Sequence, residues 1–285
     1  MSSDPPSYPS PRVPKDGGAR PMSLLALVGW GFGFIFLFVA SALLVPAMLP
    51  HSVDGDLVVL FGCQAVAFIV GLFLLLRTHA PDEPIRKVIG LRATHPLFYA
   101  LGPLLGGAAQ YPVGWLYEVI EKRWPLSAEA KVDTVAELFF SSSTLQRAVT
   151  GLVIVVAGPA LEEIVFRGAL FGPARRTSSV ANVISVTALL FAASHLNPHY
   201  LIPMTLFGLS AGLLRASSGS LIPSVLMHMT FNGITFAFMA LRVKDDSPPV
   251  VTVVSAVILV ALLGATWLLG RRSEKAALAQ ALDRA

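Results

Sequence analysis

Eight apolar runs, most of them long enough to cross a bilayer, recur along this chain: 22–49, 56–77, 97–119, 147–171, 179–196, 199–215, 219–241 and 249–270. A spanning helix needs roughly 20 apolar residues. Inside lipid every backbone N–H and C=O must find a partner within the segment, which makes such runs helices. Of the 285 residues, 54% are hydrophobic and 13% charged, whereas a soluble domain has about a quarter of its residues charged. One core of this length cannot hide so much apolar surface. The expected fold class is therefore all-α: a polytopic membrane protein with about eight transmembrane helices. The fifth and sixth runs are short and close together, so the stretch from His195 to Tyr200 is expected to be two short spans or one bent, partly re-entrant element. Small-xxx-small pairs at Gly29/Gly33, Gly102/Gly106 and Gly208/Gly212 suit close helix packing.

Three segments follow from this pattern. Residues 1–21, rich in Pro, Ser and Gly without an apolar period, are expected to be a disordered tail. The apolar stretch that follows is too long for a secretory signal and lacks its cleavage pattern. Residues 22–270 form the transmembrane domain and 271–285 a second tail. The net charge of +4 would suggest nucleic acid in a soluble protein. Here the basic residues flank apolar spans, so they set membrane orientation and nucleic acid is not expected as a partner. With the amino terminus in the cytoplasm, fourteen Lys and Arg fall in inside segments and six outside; an even span count with both termini cytoplasmic is the consistent topology. The 120–147 connection mixes Glu121, Lys122, Arg123, Glu129, Lys131, Asp133 and Glu137 with apolar residues and fits an interfacial amphipathic stretch or a solvated loop. The single cysteine, Cys63, excludes an internal disulfide and is expected to be a small buried hydrophobe. His51, His79, His95 and His199 fall at span ends and are expected to serve the interface.

The informative residues are ionisable side chains within apolar spans, each costing about 2.5–3.5 kcal/mol at the centre of a membrane helix. The fourth span reads Gly158-Pro159-Ala160-Leu161-Glu162-Glu163-Ile164-Val165-Phe166-Arg167-Gly168. Glu163 and Arg167, four apart, share a helix face and can pair. Glu162 points elsewhere, has no local counter-charge and is a candidate base. The fifth span ends in Phe191-Ala192-Ala193-Ser194-His195, and the seventh carries His228 and Asn232, four apart on one face. A carboxylate, two imidazoles and an amide can activate water and stabilise an oxyanion. Glu162, His195 and His228 could equally hold a divalent metal such as zinc with an open position. Counting along ideal helices puts Glu162 and His228 roughly 15 Å from the cytoplasmic side and His195 roughly 24 Å, a mismatch for one site.

At these motifs the chain resembles the CAAX-protease and bacteriocin-processing family of intramembrane endopeptidases. The resemblance rests on Glu-Glu-x-x-x-Arg, Phe-x-x-x-His and His-x-x-x-Asn, with Gly158-Pro159 and Gly168 in context, and covers roughly 145–241. It implies a catalytic core on spans four to seven and hydrolysis of a membrane-associated protein or peptide within the bilayer. It also implies roles: Glu162 as general base, Glu163 with Arg167 as an orienting pair, His195 on the water or metal, and His228 with Asn232 on the oxyanion. A glutamate-type mechanism is expected over a metal-dependent one, because no aspartate or cysteine here supplies a further ligand. A bacterial cell membrane is the expected location. A proton-coupled transporter, or a non-catalytic scaffold or immunity protein on the same fold, is the alternative; the polar motifs lie in one half of the chain and show no internal repeat.

Overall fold

The computed structural model describes residues 19–48, 57–126, 134–243 and 248–282, and every regular element among them is helical. The long helices α1 (Leu24–Met48) and α2 (Leu57–His79) lie side by side. After a short turn, α3 (Ile85–Val88), comes α4 (Pro96–Arg123). Helices α5 (Thr134–Ser141) and α6 (Thr144–Leu152) lead into an unbroken helical path to Ala174, which holds α7 (Gly158–Glu163) and α8 (Phe171–Ala174). Then follow α9 (Val180–Ala193), α10 (Leu201–Ser218), α11 (Ile222–Ala240) and α12 (Pro249–Leu282).

Among the described residues, six helices are long and apolar enough to cross a membrane: Leu24–Met48, Val59–His79, Thr144–Ala174, Pro198–Ser218, Ile222–Ala240 and Pro249–Lys275. The protein is thus an all-α polytopic membrane protein. The other two of the eight expected spans are helical but fall short of that standard. At 14 residues, α9 covers about 21 Å, less than the roughly 30 Å hydrocarbon core. The second, α4, is long enough, but Gly102, Pro103, Gly106, Gly107, Gln110, Tyr111 and Pro112 dilute its apolar character.

Local signals set the boundaries. The His95 side chain caps α4 by accepting from Leu97 N, with Pro96 at the first helical position where its missing N–H costs nothing. Ser143 and Gln146 form a capping box at the start of α6. Ser179 accepts from Asn182 N at the start of α9. Gly219, with φ of 66°, ends α10 in the left-handed conformation that glycine alone adopts without strain. The chain packs from Ala19 onward: Ala19 and Met22 are buried, and Arg20 N donates to His79 O (2.5 Å). The boundary expected at residue 21 thus falls inside a packed segment, and α12 runs helical past residue 270 to Leu282. Of the 120–147 connection, residues 127–133 lie outside the described ones. In the remainder, α5 sets Phe139 edge-on to Phe236 of α11 (5.3 Å), and Arg147 donates to Phe140 O (2.7 Å).

At one end of the bundle, connecting segments are bonded together: Leu221 N to Gly90 O (2.9 Å), Arg92 Nε to Gly219 O (2.7 Å) and Met22 N to Pro173 O (3.2 Å). These are the segments whose basic residues carry the orientation argument. Through the middle runs a ladder of rings, Phe34–Phe68–Phe166–Phe191–Phe207–Phe231, with centroid spacings of 5.7, 6.2, 5.6, 5.9 and 4.8 Å. It links α1, α2, the Thr144–Ala174 path, α9, α10 and α11 at the level of the polar residues.

Glycines fix the approach of the helices, unequally. A Cβ on Gly102 would stand 2.5 Å from Pro223 O, and one on Gly106 2.4 Å from Met227 O. Both obstacles are α11 backbone, so α4 and α11 touch main chain to main chain. Gly208 and Gly212 are similarly tight against Ala188 and Ile184 of α9. Gly29 and Gly33 meet nothing within 4 Å among the described residues, so this pair sets no close helix approach there. Gly106→Val is expected to cost at least about 1–3 kcal/mol of stability by prising α11 from α4, read as a lower melting temperature in detergent. Gly29→Val should stay within about 0.5 kcal/mol of wild type. Equal effects of the two would refute the contact.

Candidate active site

The site is built on the Thr144–Ala174 path, which is not a uniform α-helix. Val153–Ala157 and Ile164–Ala169 are π-helical, on either side of α7. In the first, Gly158 N bonds to Val153 O, five residues back. By the same pattern Ile154 O would take the N–H of residue 159, but that residue is proline and has none. The Asn232 amide of α11 fills this role: Nδ2 donates to Ile154 O at 3.0 Å.

Glu162 and Glu163, adjacent on α7, are directed to different partners, as expected. Glu163 and Arg167 are fully buried and paired, Nη1 to Oε1 at 3.0 Å. Arg167 Nη2 donates to Gly208 O (3.1 Å), and its guanidinium lies 4.5 Å from the centre of the Phe191 ring. From α10, Arg215 Nε donates to Arg167 O (2.9 Å). Arg215, a span-end cation by sequence, is only 2% exposed.

His228 joins the two carboxylates. Its Nδ1 lies 3.1 Å from Glu163 Oε1 and its Nε2 3.7 Å from Glu162 Oε2. A carboxylate only accepts, so Nδ1 carries a proton and donates to Glu163, while Nε2 is turned toward Glu162. The Glu163–His228 bond ties the Arg167 pair to the imidazole, a link that sequence spacing alone did not reveal. Glu162 differs from its neighbour in access: its side chain is 14% exposed, against 0% for Glu163. Glu162 Oε1 accepts from Gln64 Nε2 of α2 at 2.9 Å. Gln64 was not singled out in the sequence; the available signal was a lone amide inside the apolar run 56–77.

His195 falls just beyond α9, whose cap is Ser194. Its Nδ1 bonds to Phe191 O at 2.9 Å and its ring stands edge-on to Phe191 at 4.9 Å. The carbonyl accepts, so Nδ1 is protonated and Nε2 holds the lone pair. Folding back over one turn brings the ring about 5 Å nearer the helix start than its backbone. That narrows the depth mismatch, and His195 and His228 both border the Phe191 ring, at 4.9 and 5.5 Å. The chain then turns at Leu196, whose φ of 55° is unusual for a bulky residue.

The other histidines hold helix ends. His79 accepts from Trp30 Nε1 (3.0 Å), His199 donates from Nε2 to Trp124 O (2.7 Å), and His95 is a cap; His51 lies outside the described residues. Cys63 is buried and unpaired. Among the described residues, no group of three or more His, Cys, Asp or Glu is disposed to hold a metal ion. Of Glu162, His195 and His228, the set a metal-dependent site would use, Glu162 Oε1 is held by Gln64 and Nδ1 of each imidazole by a protein oxygen, which leaves Oε2 and the two Nε2 atoms.

None of the curated proteins and none of the solved structures compared matches the chain. Residues 144–234, the segment that holds Glu162, Glu163, Arg167, His195, His228 and Asn232, are similar to the Rce1-like family, described as type II CAAX prenyl endopeptidase Rce1-like, whose model they match.

Proposed function

We propose that the protein is an intramembrane endopeptidase that hydrolyses a peptide bond of a membrane-associated protein or peptide with a water activated by Glu162. The observation that carries this reading is the unequal treatment of the two adjacent carboxylates. Glu163 is sealed against Arg167, while Glu162 keeps access and offers an oxygen 3.7 Å from His228 Nε2. Glu162 takes a proton from water as the oxygen attacks the scissile carbonyl carbon. The Nε2 lone pair of His195 orients the same water. The oxyanion is met by the second amide hydrogen of Asn232 and by the Nε2–H of His228, a proton the ring holds before the attack, with Glu163 accepting from Nδ1. As the C–N bond breaks, Glu162 returns its proton to the leaving amine, giving a carboxylic acid and an amine. Arg167 holds Glu163, and the Phe191 ring backs both imidazoles. The site lies within a bacterial cell membrane, with both termini cytoplasmic.

The test is cleavage of a broad peptide library by the purified protein in lipid vesicles, with and without a chelator. The expected result is cleavage that the chelator leaves unchanged. Loss with chelator and recovery with added divalent metal would recast Glu162, His195 and His228 as ligands. Absence of cleavage, with proton-coupled flux in the same vesicles, would favour a transporter.

A further inference from the structure

Among the described residues, Gln64 is the one side chain from outside the family-matched segment that is hydrogen-bonded to a carboxylate of the site. It reaches Glu162 from α2, at 2.9 Å between Nε2 and Oε1, across 98 residues of chain. Its backbone is supported in turn: the Ser41 hydroxyl of α1 is shared between Phe38 O (2.9 Å) and the carbonyl of the adjacent Cys63 (3.1 Å). Below it in α2, Phe68 is wedged between Phe34 and Phe166. The rotation and depth of α2 are therefore set before the amide is placed.

The chemistry of the contact distinguishes the two oxygens of Glu162. A carboxylate can turn about its last bond and present either oxygen. With Oε1 held by the amide, Oε2 is the one that faces His228 Nε2, at 3.7 Å. Every charged or titratable neighbour comes from elsewhere: Glu163 and Arg167 on the same helical path, His195 after α9, and His228 on α11. Gln64 is the neutral partner. It fixes direction without adding a charge to the low-dielectric site, and an amide remains neutral whichever protonation state Glu162 holds.

We infer that Gln64 is a positioning residue for Glu162, holding one carboxylate oxygen so that the other addresses the water between Glu162 and His228. The inference rests on the peptidase reading for its kinetic consequence but not for its geometric one, so two measurements are paired. The first is the infrared carboxylate band of Glu162 in vesicles, identified as the band missing in Glu162→Gln. In Gln64→Met, similar in length but without a donor, that band is expected to move. The second is cleavage: Gln64→Met should lower kcat by about tenfold or more through misdirection of the base, with KM changed by less than about twofold, and Gln64→Asn should recover part of the loss. Monodisperse elution of each variant establishes folding. An unmoved band in an active enzyme overturns the tether and leaves the peptidase reading intact. A shifted band with unchanged kcat overturns the positioning role. A shifted band in a protein that cleaves nothing, wild type included, upholds the tether and removes the peptidase reading.

Discussion

Glu162→Gln is expected to lower peptide cleavage by about 100- to 10,000-fold while the protein stays folded, with a melting temperature within a few degrees of wild type. General-base catalysis contributes about that much, and an amide cannot take a proton from water at neutral pH. The fold should tolerate the change because the glutamine keeps an oxygen for the Gln64 amide to reach and because Glu162 carries no buried cation of its own. Glu163→Gln is the informative neighbour. It has nearly the same composition, but it weakens the buried contact with Arg167, so it should lose stability as well as activity. The measurement is kcat against melting temperature for the two variants side by side. Turnover near wild-type level in Glu162→Gln would remove the residue from the reaction and the glutamate mechanism with it.

Arg167→Met should carry the largest cost in stability. Its guanidinium makes three contacts at zero exposure: Glu163 Oε1, Gly208 O and the Phe191 ring. Removal leaves Glu163 charged and buried with His228 as its remaining hydrogen-bonding partner among the described residues, and breaking a buried pair in this way costs about 3–5 kcal/mol. At roughly 2–4 °C per kcal/mol for a chain of about this size, the melting temperature should fall by about 10 °C. The double variant Arg167→Met with Glu163→Gln should regain part of that loss, because neither charge is then stranded. If the double variant is no more stable than Arg167→Met, the two residues do not act as a pair. Arg167→Lys should not restore wild-type stability: a lysine offers one compact charge where the arginine fork serves a carboxylate, a carbonyl and a ring together.

The parts of the site legible in the sequence are those set by spacing along one helix. Glu163 and Arg167 pair as four-residue spacing predicts, and His228 and Asn232 do share a face, both turned to the Thr144–Ala174 path. Choices made between helices were not legible. Nothing in the spacing says that His228 bonds to Glu163, or that Gln64 rather than another polar residue reaches Glu162. The role of Asn232 depends on a carbonyl that a π-turn and Pro159 together leave without a partner, a local departure that no apolar periodicity announces. Span counting reached the helices but not their quality, since α9 is cut short and His195 hangs beyond it. The glycine pairs looked alike, yet those on α4 and α10 are wedged against neighbours while Gly29 and Gly33 are not; the residues themselves are identical, and only what the fold sets opposite them differs.

The two π segments around α7 have a consequence for how this chain can vary. Each widened turn takes up residues that a regular helix would spend on rotation, and each residue of an α-helix advances the side-chain direction by about 100°. The compass bearing of Glu162 and Glu163 is therefore set by how many residues the flanking segments absorb, as much as by their position in the span. Loss of a single residue from Val153–Ala157 would leave the apolar character of the helix unchanged while swinging the two carboxylates relative to everything before them. Substitutions of one apolar residue for another are well tolerated in such a stretch, whereas a change in its length is not. Along this helix the phase, more than the composition, is what inheritance must preserve.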